Sequence, residues 1–540
     1  MSRLHRWGRR LAVALVGAFG ALGFAPLHIW PATLLSLAAL YALVRATGAA
    51  DRPQRAAFGT GLLFGLGWFS ASCFWIASAF VERGPSFIPM IPPLVGGLAV
   101  LLSLFWGAAA AVSVRLSRER PGWLAALIFT ASFTLAELAR GHVFSGFPWN
   151  MAAHAFPPGG WISQTASILN VYGLTMLALL VAALLGEAWR TRRAGAGIVG
   201  LLLLSTIAGA GGLRLSGAPA PNALPIQPGV VMRLVNVPFF QREKMSVESS
   251  IRITQGYVRE SLRPGADRIS HLVWPEGAVN GFATENLFLL RTVGAGLAAQ
   301  TDRPPVWLLQ TLREEVSPDP RTGAPRPRYF NSSAAVTFDR QGNPAVVATD
   351  DKRKLVPFGE FIPGGAAVEA LGARLVSTAL GSISGASEKR TVRYPGLPPL
   401  SVQICYEVIF PGLMRRDDPA APPQLILNQS NDAWFGRTAG PDQHAAIARY
   451  RAIEEGLPMV RAAANGVSGV FDPYGRAVST LDARTTGIID VTVPLPLEAV
   501  FSTRFVTFAL ALLNLGLLLI GATWHRFGRS GPPGLRLPTM

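Results

Sequence analysis

The chain has 540 residues, of which half are hydrophobic and only 15% are charged, and its formal net charge is +17. Two cysteines cannot form a disulfide framework, and the seven histidines show no paired ligand spacing, so neither a disulfide-stapled domain nor a metal site is expected. Residues 228–500 carry 29 Lys and Arg against 27 Asp and Glu, whereas the remainder carries 20 against 5. The excess charge therefore indicates orientation at an anionic membrane surface and not nucleic-acid binding.

Long apolar runs predict a membrane domain of about eight helices. Each run approaches or exceeds the roughly 20 residues that cross the hydrocarbon core of a bilayer. Seven precede residue 215 and one follows residue 500. The runs lie near 11–26, 32–47, 57–80, 88–114, 122–139, 161–188, 194–212 and 503–524.

The first run has an alternative interpretation as a secretory signal, because four arginines precede it. A membrane span is favoured, since six further spans follow and no clean A-x-A cleavage site ends the run.

Basic residues alternate between loops, as the positive-inside rule requires. Clusters occur at 3–10, 45–55, 115–120, 190–193 and 526–529, whereas the loops near 27–31, 81–87 and 140–160 hold few. This alternation predicts that both termini are cytoplasmic and that the segment between the last two spans lies on the far side. We therefore divide the chain into a seven-span domain (1–214), a Pro- and Gly-rich linker (215–228), an extramembrane domain (229–500), and an eighth span with a cytoplasmic tail (501–540).

The extramembrane segment alternates strand and helix patterns. Several strands read as continuous Val, Ile and Leu runs, as expected when both faces of a sheet are buried. A helix is predicted from Pro441 to a stop at Gly456. Turns are predicted at Gln341–Gly342 and at 472–475. The predicted strands are 230–237, 271–275, 306–311, 333–339, 400–406, 424–430 and 487–493.

Three strings in this segment place reactive side chains at or near strand ends. They are LVWPEG (272–277), DKRKLVPFGE (351–360) and VQICYE (402–407), and they supply Glu276, Lys352 and Cys405. A thiol, a carboxylate base and a cationic donor are the parts needed for acyl transfer through a thioester.

Each member of this trio also has an ordinary structural interpretation. Glu276 could be a surface carboxylate, although its neighbours Trp274 and Pro275 would partly desolvate it, as suits a general base. Cys405 could be a buried structural cysteine, as we expect for the mid-span Cys73. Spacing alone does not choose among Lys352 and its two basic neighbours.

The motifs WPEG, KRKLVPFGE and ICYE resemble the Glu-Lys-Cys signature of the carbon-nitrogen hydrolase, or nitrilase, superfamily. Seven spans before such a domain and one after it resemble the bacterial apolipoprotein N-acyltransferases within that superfamily. NQSNDAWFG (428–436), GPDQH (440–444) and RAAANGVSGVFDPYG (461–475) strengthen the resemblance, and FPWN (147–150) is similar to the family as well. The resemblance covers nearly the whole chain and implies an α/β αββα sandwich beside the membrane domain.

The resemblance also implies roles for individual residues. Glu276 would be the general base, Lys352 the oxyanion-stabilising lysine and Cys405 the nucleophile. The residues expected to support the site or bind substrate are Asn331, Glu360, Tyr406, Glu407 and Trp434.

One departure from the family pattern is visible. The family often has a tryptophan after the first strand of the domain, where this chain reads QREKMSVE (241–248). A lipid contact made by that tryptophan is not expected here. A mobile apolar lid is expected, because a thioester survives only where water is excluded. The candidates are AWFG (433–436) and 363–387, and the alternative for both is an ordinary surface loop.

The implied reaction moves an acyl chain from a membrane phospholipid through a Cys405 thioester to the α-amine of a diacylglyceryl-modified N-terminal cysteine on a lipoprotein. No cofactor is expected, and the protein would act as a monomer in the bacterial inner membrane with its catalytic domain on the periplasmic side. Two alternatives remain open: a membrane-tethered amidase or nitrilase that hydrolyses its acyl-enzyme, and a non-catalytic scaffold or transporter. Intramembrane charge would favour transport, but the main pair in the spans, Glu137 and Arg140, is expected to neutralise itself.

Overall fold

The computed structural model describes residues 3–318, 323–361, 383–387, 391–414, 422–498 and 501–528. Helices fill the first part of this range, and a mixture of strands and helices follows. The α-helices are α1 (Arg3–Gly20), α2 (Trp30–Ala46), α3 (Pro53–Ser72), α4 (Ile76–Arg83), α5 (Gly97–Ser117), α6 (Gly122–His142), α7 (Ala166–Thr191), α8 (Ala194–Ser216), α9 (Val247–Ser261), α10 (Leu287–Ala298), α11 (Gly440–Glu455) and α12 (Thr503–Gly528). The strands are β1 (Ile226–Asn236), β2 (His271–Val273), β3 (Val306–Pro318), β4 (Pro325–Phe338), β5 (Pro344–Asp351), β6 (Leu400–Ile404), β7 (Leu425–Asn431), β8 (Met459–Ala464), β9 (Ser468–Phe471), β10 (Ala477–Leu481) and β11 (Gly487–Pro494).

Within the described ranges, six helical segments are long and apolar enough to cross a membrane, and α3 with α4 would make a seventh. The predicted count of eight is therefore not confirmed. Helix α1 corresponds to the first predicted span, but its 18 residues include four arginines, so it does not meet the same test of length and apolarity.

The run predicted as one span over 57–80 is not a continuous helix, because α3 and α4 are bent by 51° at a break between Ser72 and Ile76. A break frees backbone carbonyls, which must find other donors where water is scarce. The side-chain amide of Asn150 supplies one of them and donates to the Ser72 carbonyl at 3.0 Å. The break therefore depends on a residue 78 positions further along the chain.

The run predicted over 88–114 is not a uniform α-helix either. Its start is a 3-10 turn over Pro85–Met90 and a π turn over Pro92–Gly96, and α5 follows. Four prolines in this stretch lack the N–H that an α-helix needs, which explains the irregular start.

The strands form two sheets. One has six strands in the order β11-β1-β2-β3-β4-β5, and the other has five in the order β10-β9-β8-β7-β6. Strands β1, β2 and β3 run parallel to one another, as do β6, β7 and β8, and the outer pairs are antiparallel.

The two sheets pack face to face between layers of helices, as predicted. Buried side chains of β1, including Met232 and Leu234, share one cluster with Val402 of β6 and Leu427 of β7. On its other face the six-stranded sheet packs against α9 and α10. The five-stranded sheet packs against α11, for example at Ile447. This is the αββα sandwich expected from the sequence.

Helix α11 also contacts the membrane helices on its far side. Tyr450 and Ile453 belong to the same buried cluster as residues of α2, α3, α5, α6 and α7. The Tyr450 hydroxyl donates to the carbonyls of Ala153 and Phe156 at 2.7 and 2.8 Å. Helix α11 is therefore shared between the sandwich and the membrane domain.

Most predicted strands occur within a few residues of their expected limits, but β3 and β4 are longer and four strands were not predicted. One boundary matters for the chemistry. The strand predicted over 400–406 ends at Ile404, and Cys405–Ile409 forms a 3-10 helix. The helix predicted from Pro441 to Gly456 is confirmed as α11, and Gly456 has the left-handed conformation (φ 60°) typical of a helix end.

Candidate active site

Three connections bring the predicted trio to one place between the two sheets. Glu276 follows β2, Lys352 follows β5 and Cys405 follows β6. The first two belong to the six-stranded sheet and the third to the five-stranded sheet. The site is therefore built across the interface of the sandwich.

Cys405 is held in an unusual backbone conformation. Its φ of 51° lies in the left-handed region, which costs a non-glycine residue roughly 1–3 kcal/mol. The residue is only 9% exposed. A nucleophile at the sharp end of a buried strand is a typical place for such strain, because the turn aims the side chain out of the sheet.

Glu276 is fixed by donors from both sheets. Its Oε1 accepts a hydrogen bond from Asn331 Nδ2 at 2.7 Å. Its Oε2 accepts from the backbone N–H of Asn431, the last residue of β7, at 3.0 Å. Gln310 holds Asn331 in turn, donating from Nε2 to Asn331 Oδ1 at 2.9 Å. Both carboxylate oxygens therefore have a set orientation.

Lys352 is the lysine that the structure brings to Glu276. Its ammonium donates to Glu360 Oε1 at 2.8 Å and lies 3.9 Å from Glu276 Oε1, and its side chain is only 1% exposed. Lys354 points elsewhere: its Nζ lies 3.5 Å from the Ser145 carbonyl oxygen and over the Phe410 ring. Of these two lysines, Lys352 is the one whose ammonium lies beside Glu276.

Charges in the site shift the pKa values of its members. Burial, and then the negative charge of Glu276, raise the pKa of the Cys405 thiol well above its usual value, while Lys352 opposes the rise. Burial alone would lower the pKa of Lys352, but the charges of Glu360 and Glu276 outweigh it and hold that pKa above its usual value. These directions favour a neutral thiol beside a charged ammonium in the resting site.

Glu407 connects the loop of Lys352 with the loop of Cys405. Its Oε1 accepts from the backbone N–H groups of Arg353 and Lys354 at 2.8 and 3.2 Å, and its Oε2 accepts from the Ile404 N–H at 2.9 Å. Glu407, one of the residues expected to support the site, therefore holds the two loops together by accepting hydrogen bonds from their backbone N–H groups.

Tyr406 reaches the membrane domain. Its hydroxyl donates to the carbonyl of Gly146 at 2.9 Å.

Trp434, also expected at the site, is half-buried beneath the guanidinium of Arg83, which lies 5.5 Å from the ring centre. Most of the other predicted lid, 363–387, lies outside the described residues, which include only 383–387 of it.

Several residues around the trio were not singled out from the sequence. Asn431 and Gln310 orient Glu276, and Lys244 donates from Nζ to the Gly277 carbonyl beside it. Polar residues at the end of a fully buried strand were the available signal for Asn431, because β7 buries all seven of its residues. No comparable pattern distinguishes Lys244 from other basic residues.

A second buried polar cluster lies next to Asn431. Asp432 Oδ1 lies 2.9 Å from His444 Nδ1, and Asp432 Oδ2 accepts from Arg461 Nη2 at 2.6 Å. All three side chains are fully buried. This cluster ties the end of β7 to α11 and β8, and so fixes the backbone N–H that holds Glu276.

The ion pair of Glu137 and Arg140 in the membrane domain holds a loop of that domain beside the site. Glu137 and Arg140 form a buried ion pair, as expected. Arg140 Nη1 also donates to the carbonyls of Phe147 and Trp149 at 2.6 and 2.9 Å. The pair therefore positions the FPWN motif (147–150).

The described ranges contain no group of three His, Cys, Asp or Glu side chains that could hold a metal ion. The side chains of the site offer a thiol for nucleophilic attack, a carboxylate able to take its proton, and an ammonium able to stabilise an oxyanion.

Two family models match the chain. Residues 16–184 match the family model of the apolipoprotein N-acyltransferase N-terminal domain, and residues 244–501 match that of the carbon-nitrogen hydrolases.

Curated relatives cover both regions together. An apolipoprotein N-acyltransferase of Caulobacter vibrioides is 32% identical over 508 residues, covering 91% of this chain and 90% of the relative. One of Allorhizobium ampelinum is 35% identical over 500 residues, with coverage of 91% and 90%. One of Rhodopseudomonas palustris is 32% identical over 511 residues and covers 92% of both chains. With this identity sustained along nine-tenths of its length, the chain belongs to the apolipoprotein N-acyltransferase family.

Proposed function

We propose that this protein transfers an acyl chain from a membrane phospholipid to the N-terminal cysteine of diacylglyceryl-modified lipoproteins, through a thioester on Cys405. The observation that carries the proposal is the buried Cys405–Glu276–Lys352 arrangement, beside which Tyr406 donates a hydrogen bond to the Gly146 carbonyl of the membrane domain. The family relatives bear the name of this activity.

In the first step Glu276 removes the proton of the Cys405 thiol as the sulfur attacks the ester carbonyl of the phospholipid. Lys352 stabilises the negative oxygen of the tetrahedral intermediate, and its Glu360 contact fixes the direction of the ammonium. The carbon–oxygen bond then breaks, and the leaving alkoxide takes the proton from Glu276. The products are a lysophospholipid and an acyl-enzyme.

In the second step the α-amine of the lipoprotein attacks the thioester. Glu276 accepts a proton from the amine, the carbon–sulfur bond breaks, and the proton passes to the Cys405 thiolate. An amide forms and the enzyme returns to its first state. The raised pKa of the Cys405 thiol favours this proton return.

The location follows from the two lipid-anchored substrates. Each buried CH2 group contributes roughly 0.8 kcal/mol to membrane retention, so neither substrate leaves the bilayer freely. We place the protein in the bacterial inner membrane as a monomer, with the catalytic domain on the periplasmic side and both termini in the cytoplasm. The alternation of basic loops supports this orientation.

A membrane-tethered amidase or nitrilase would use the same trio and let water take the acyl group. The contacts of Tyr406 with Gly146 and of Lys354 with Ser145 favour the transferase, because they turn this side of the site towards the membrane domain. A non-catalytic scaffold is disfavoured, because it would not need the buried and oppositely charged groups that surround Cys405.

Intact mass spectrometry of the purified protein with phospholipid tests the proposal. The wild type and a Cys73→Ser variant should each gain one acyl chain, and a diacylated lipopeptide with a free amine should remove it. Cys405→Ser should gain none through a thioester. Absence of an adduct on the wild type would contradict the proposal, and discharge by water as fast as by the lipopeptide would favour the hydrolase.

A further inference from the structure

Four basic side chains gather where α4 meets the catalytic domain. Helix α4 contacts the turns over Gln241–Met245 and Asp432–Phe435, which flank the site. Arg242 and Arg437 are exposed, whereas Arg83 and Lys244 are half-buried. We call these four residues the basic rim.

Aromatic rings hold the rim in place. Arg83 lies 5.5 Å from the Trp434 ring centre, and Arg242 and Arg437 lie 5.0 and 5.6 Å from that of Phe240. A guanidinium that stacks on a ring keeps its N–H groups free for another partner, because stacking uses the face of the group and not its edge.

Ion pairs within the described ranges do not balance the charge of the rim. Among the described residues, no carboxylate lies within ion-pair distance of any of the four side chains. The two nearby acids are used otherwise: Glu82 Oε2 accepts from the Arg242 backbone N–H at 3.3 Å, and Glu243 Oε2 from the Phe240 N–H at 3.0 Å. Four cations without an ion-pair partner among the described residues, all on one side of the candidate site, favour an anionic ligand.

Lys244 connects the basic rim to the loop that carries Glu276. Its ammonium donates to the carbonyl of Gly277, the residue after Glu276. Burial lowers the pKa of Lys244 to about 8, and the charge of Glu276 only partly offsets this. An anion bound here would stabilise the charged form of the lysine.

The other end of α4 is apolar. A cavity of about 250 Å³ opens beside the break between α3 and α4 and is lined by Cys73, Ile76, Ala77 and Val95, among others. Arg83 lies seven residues beyond Ile76, or roughly 10 Å along the helix. Helix α4 therefore has a charged end and an apolar end on the same side of the site.

We propose that the basic rim binds the phosphate of the phospholipid acyl donor, and that the cavity at the start of α4 receives apolar parts of the same lipid. This inference rests on the proposed function. Guanidinium groups suit a phosphate because their paired N–H donors match two of its oxygens. A diacylglyceryl-modified lipoprotein N-terminus has no phosphate, so the rim should act in the first step only.

The experiment compares two acyl donors in dodecyl maltoside micelles. The rate of Cys405 acylation is measured by intact mass with phosphatidylethanolamine and, separately, with a p-nitrophenyl fatty-acid ester, which lacks phosphate. The variants are Arg83→Gln, Arg437→Gln and the double substitution, with Arg83→Lys as the conservative form. Arg291→Gln, an exposed arginine on α10 in the outer helical layer, is the matched control.

With phosphatidylethanolamine we expect each single variant to be acylated about tenfold more slowly, as for loss of a charged hydrogen bond, and the double variant more slowly still. Arg83→Lys should recover part of the rate. With the p-nitrophenyl ester, all variants should match the wild type, and the acyl-enzyme formed from it should react normally with the lipopeptide.

Equal losses with both donors would indicate a structural role and overturn the phosphate site, as would variants that react with phosphatidylethanolamine at the wild-type rate. A wild type that forms no thioester with phosphatidylethanolamine would instead refute the proposed function, and the phosphate site with it.

Discussion

The indole N–H of Trp149 donates a hydrogen bond to the side-chain oxygen of Gln443 at 2.9 Å, which joins a loop of the membrane domain to α11. The same oxygen accepts from Trp75 Nε1 at 3.1 Å and from Asn150 Nδ2 at 2.9 Å. The neighbouring residue, His444, contacts Asp432 in the cluster beside Asn431. One acceptor therefore aligns two membrane loops with the strand end that orients Glu276.

Gln443→Leu should destabilise the protein strongly, because it leaves three buried donors without their acceptor. Each unsatisfied group costs roughly 1–3 kcal/mol. Trp149→Phe removes one donor and keeps an aromatic ring, so its melting temperature should fall less. Thermal unfolding in detergent compares the two variants. A Gln443→Leu variant with the melting temperature of the wild type would show that these hydrogen bonds do not join the domains.

The Lys352→Met and Lys354→Met variants should differ strongly in their rates of thioester formation, although the two lysines are only two positions apart. Loss of Lys352 removes the cation beside Glu276 and should lower the rate of thioester formation roughly 10²–10³-fold, as for loss of an oxyanion donor. Lys354 faces the Ser145 carbonyl, so its loss should leave that rate near the wild-type value. Intact mass measured over time gives the acylation rate of each variant. If Lys354→Met were the slower of the two, the oxyanion role would belong to Lys354.

Glu276 and Cys405 could be predicted because each follows a buried strand, whereas Lys352 follows the largely exposed β5. Strands β2 and β6 bury every residue, so a reactive side chain directly after them stands out against an apolar run. Most of the membrane helices could be predicted from apolar length, although not their number or their breaks, and the layered sandwich could be predicted from continuous strand patterns.

The remainder depends on contacts between distant segments. Strand β6 ends at Ile404 because the Glu407 carboxylate takes its N–H, and the break after Ser72 is satisfied by Asn150. Lys352 and Lys354 look alike in a run of charges, and only the folded chain turns one inward. Strands β8 and β9 were not predicted, since MVRAAA and SGVF carry many Ala and Gly residues with weak strand preference.

The pH dependence of Cys405 alkylation should report the charges around the thiol. Because burial and Glu276 raise its pKa, reaction with iodoacetamide should have its midpoint above that of an ordinary thiol. Glu276→Gln removes a charge that opposes ionisation, so the midpoint should move down. Lys352→Met removes a charge that favours ionisation, so the midpoint should move up.

This measurement uses a Cys73→Ser background, so that one thiol remains. Glu276→Gln is the informative variant, because its thiol should ionise more readily while acylation by phospholipid becomes slower. If alkylation and acylation both became faster, Glu276 would not be the base. A midpoint that moved in the same direction in both variants would contradict the assigned charges.

Glu454 on α11 should make stability depend on pH. Burial raises its pKa to about 7, although Arg451 and the backbone N–H of Val171, which donates to Glu454 Oε1 at 2.7 Å, oppose the rise. The folded state therefore keeps a proton that the unfolded state releases near pH 4.5. The stabilisation is complete below that pH and is lost as the pH rises to about 7.

Glu454→Gln keeps an acceptor for the Val171 N–H and cannot ionise. The variant should therefore have a higher melting temperature than the wild type at pH 8. The difference should be smaller at pH 5, where the side chain at this position is neutral in both folded proteins. Thermal unfolding at the two pH values measures the difference, with Glu248→Gln on the exposed start of α9 as the control for removing a carboxylate. A Glu454→Gln variant less stable than the wild type at pH 8 would mean that the charged carboxylate, paired with Arg451, is the form that the fold requires.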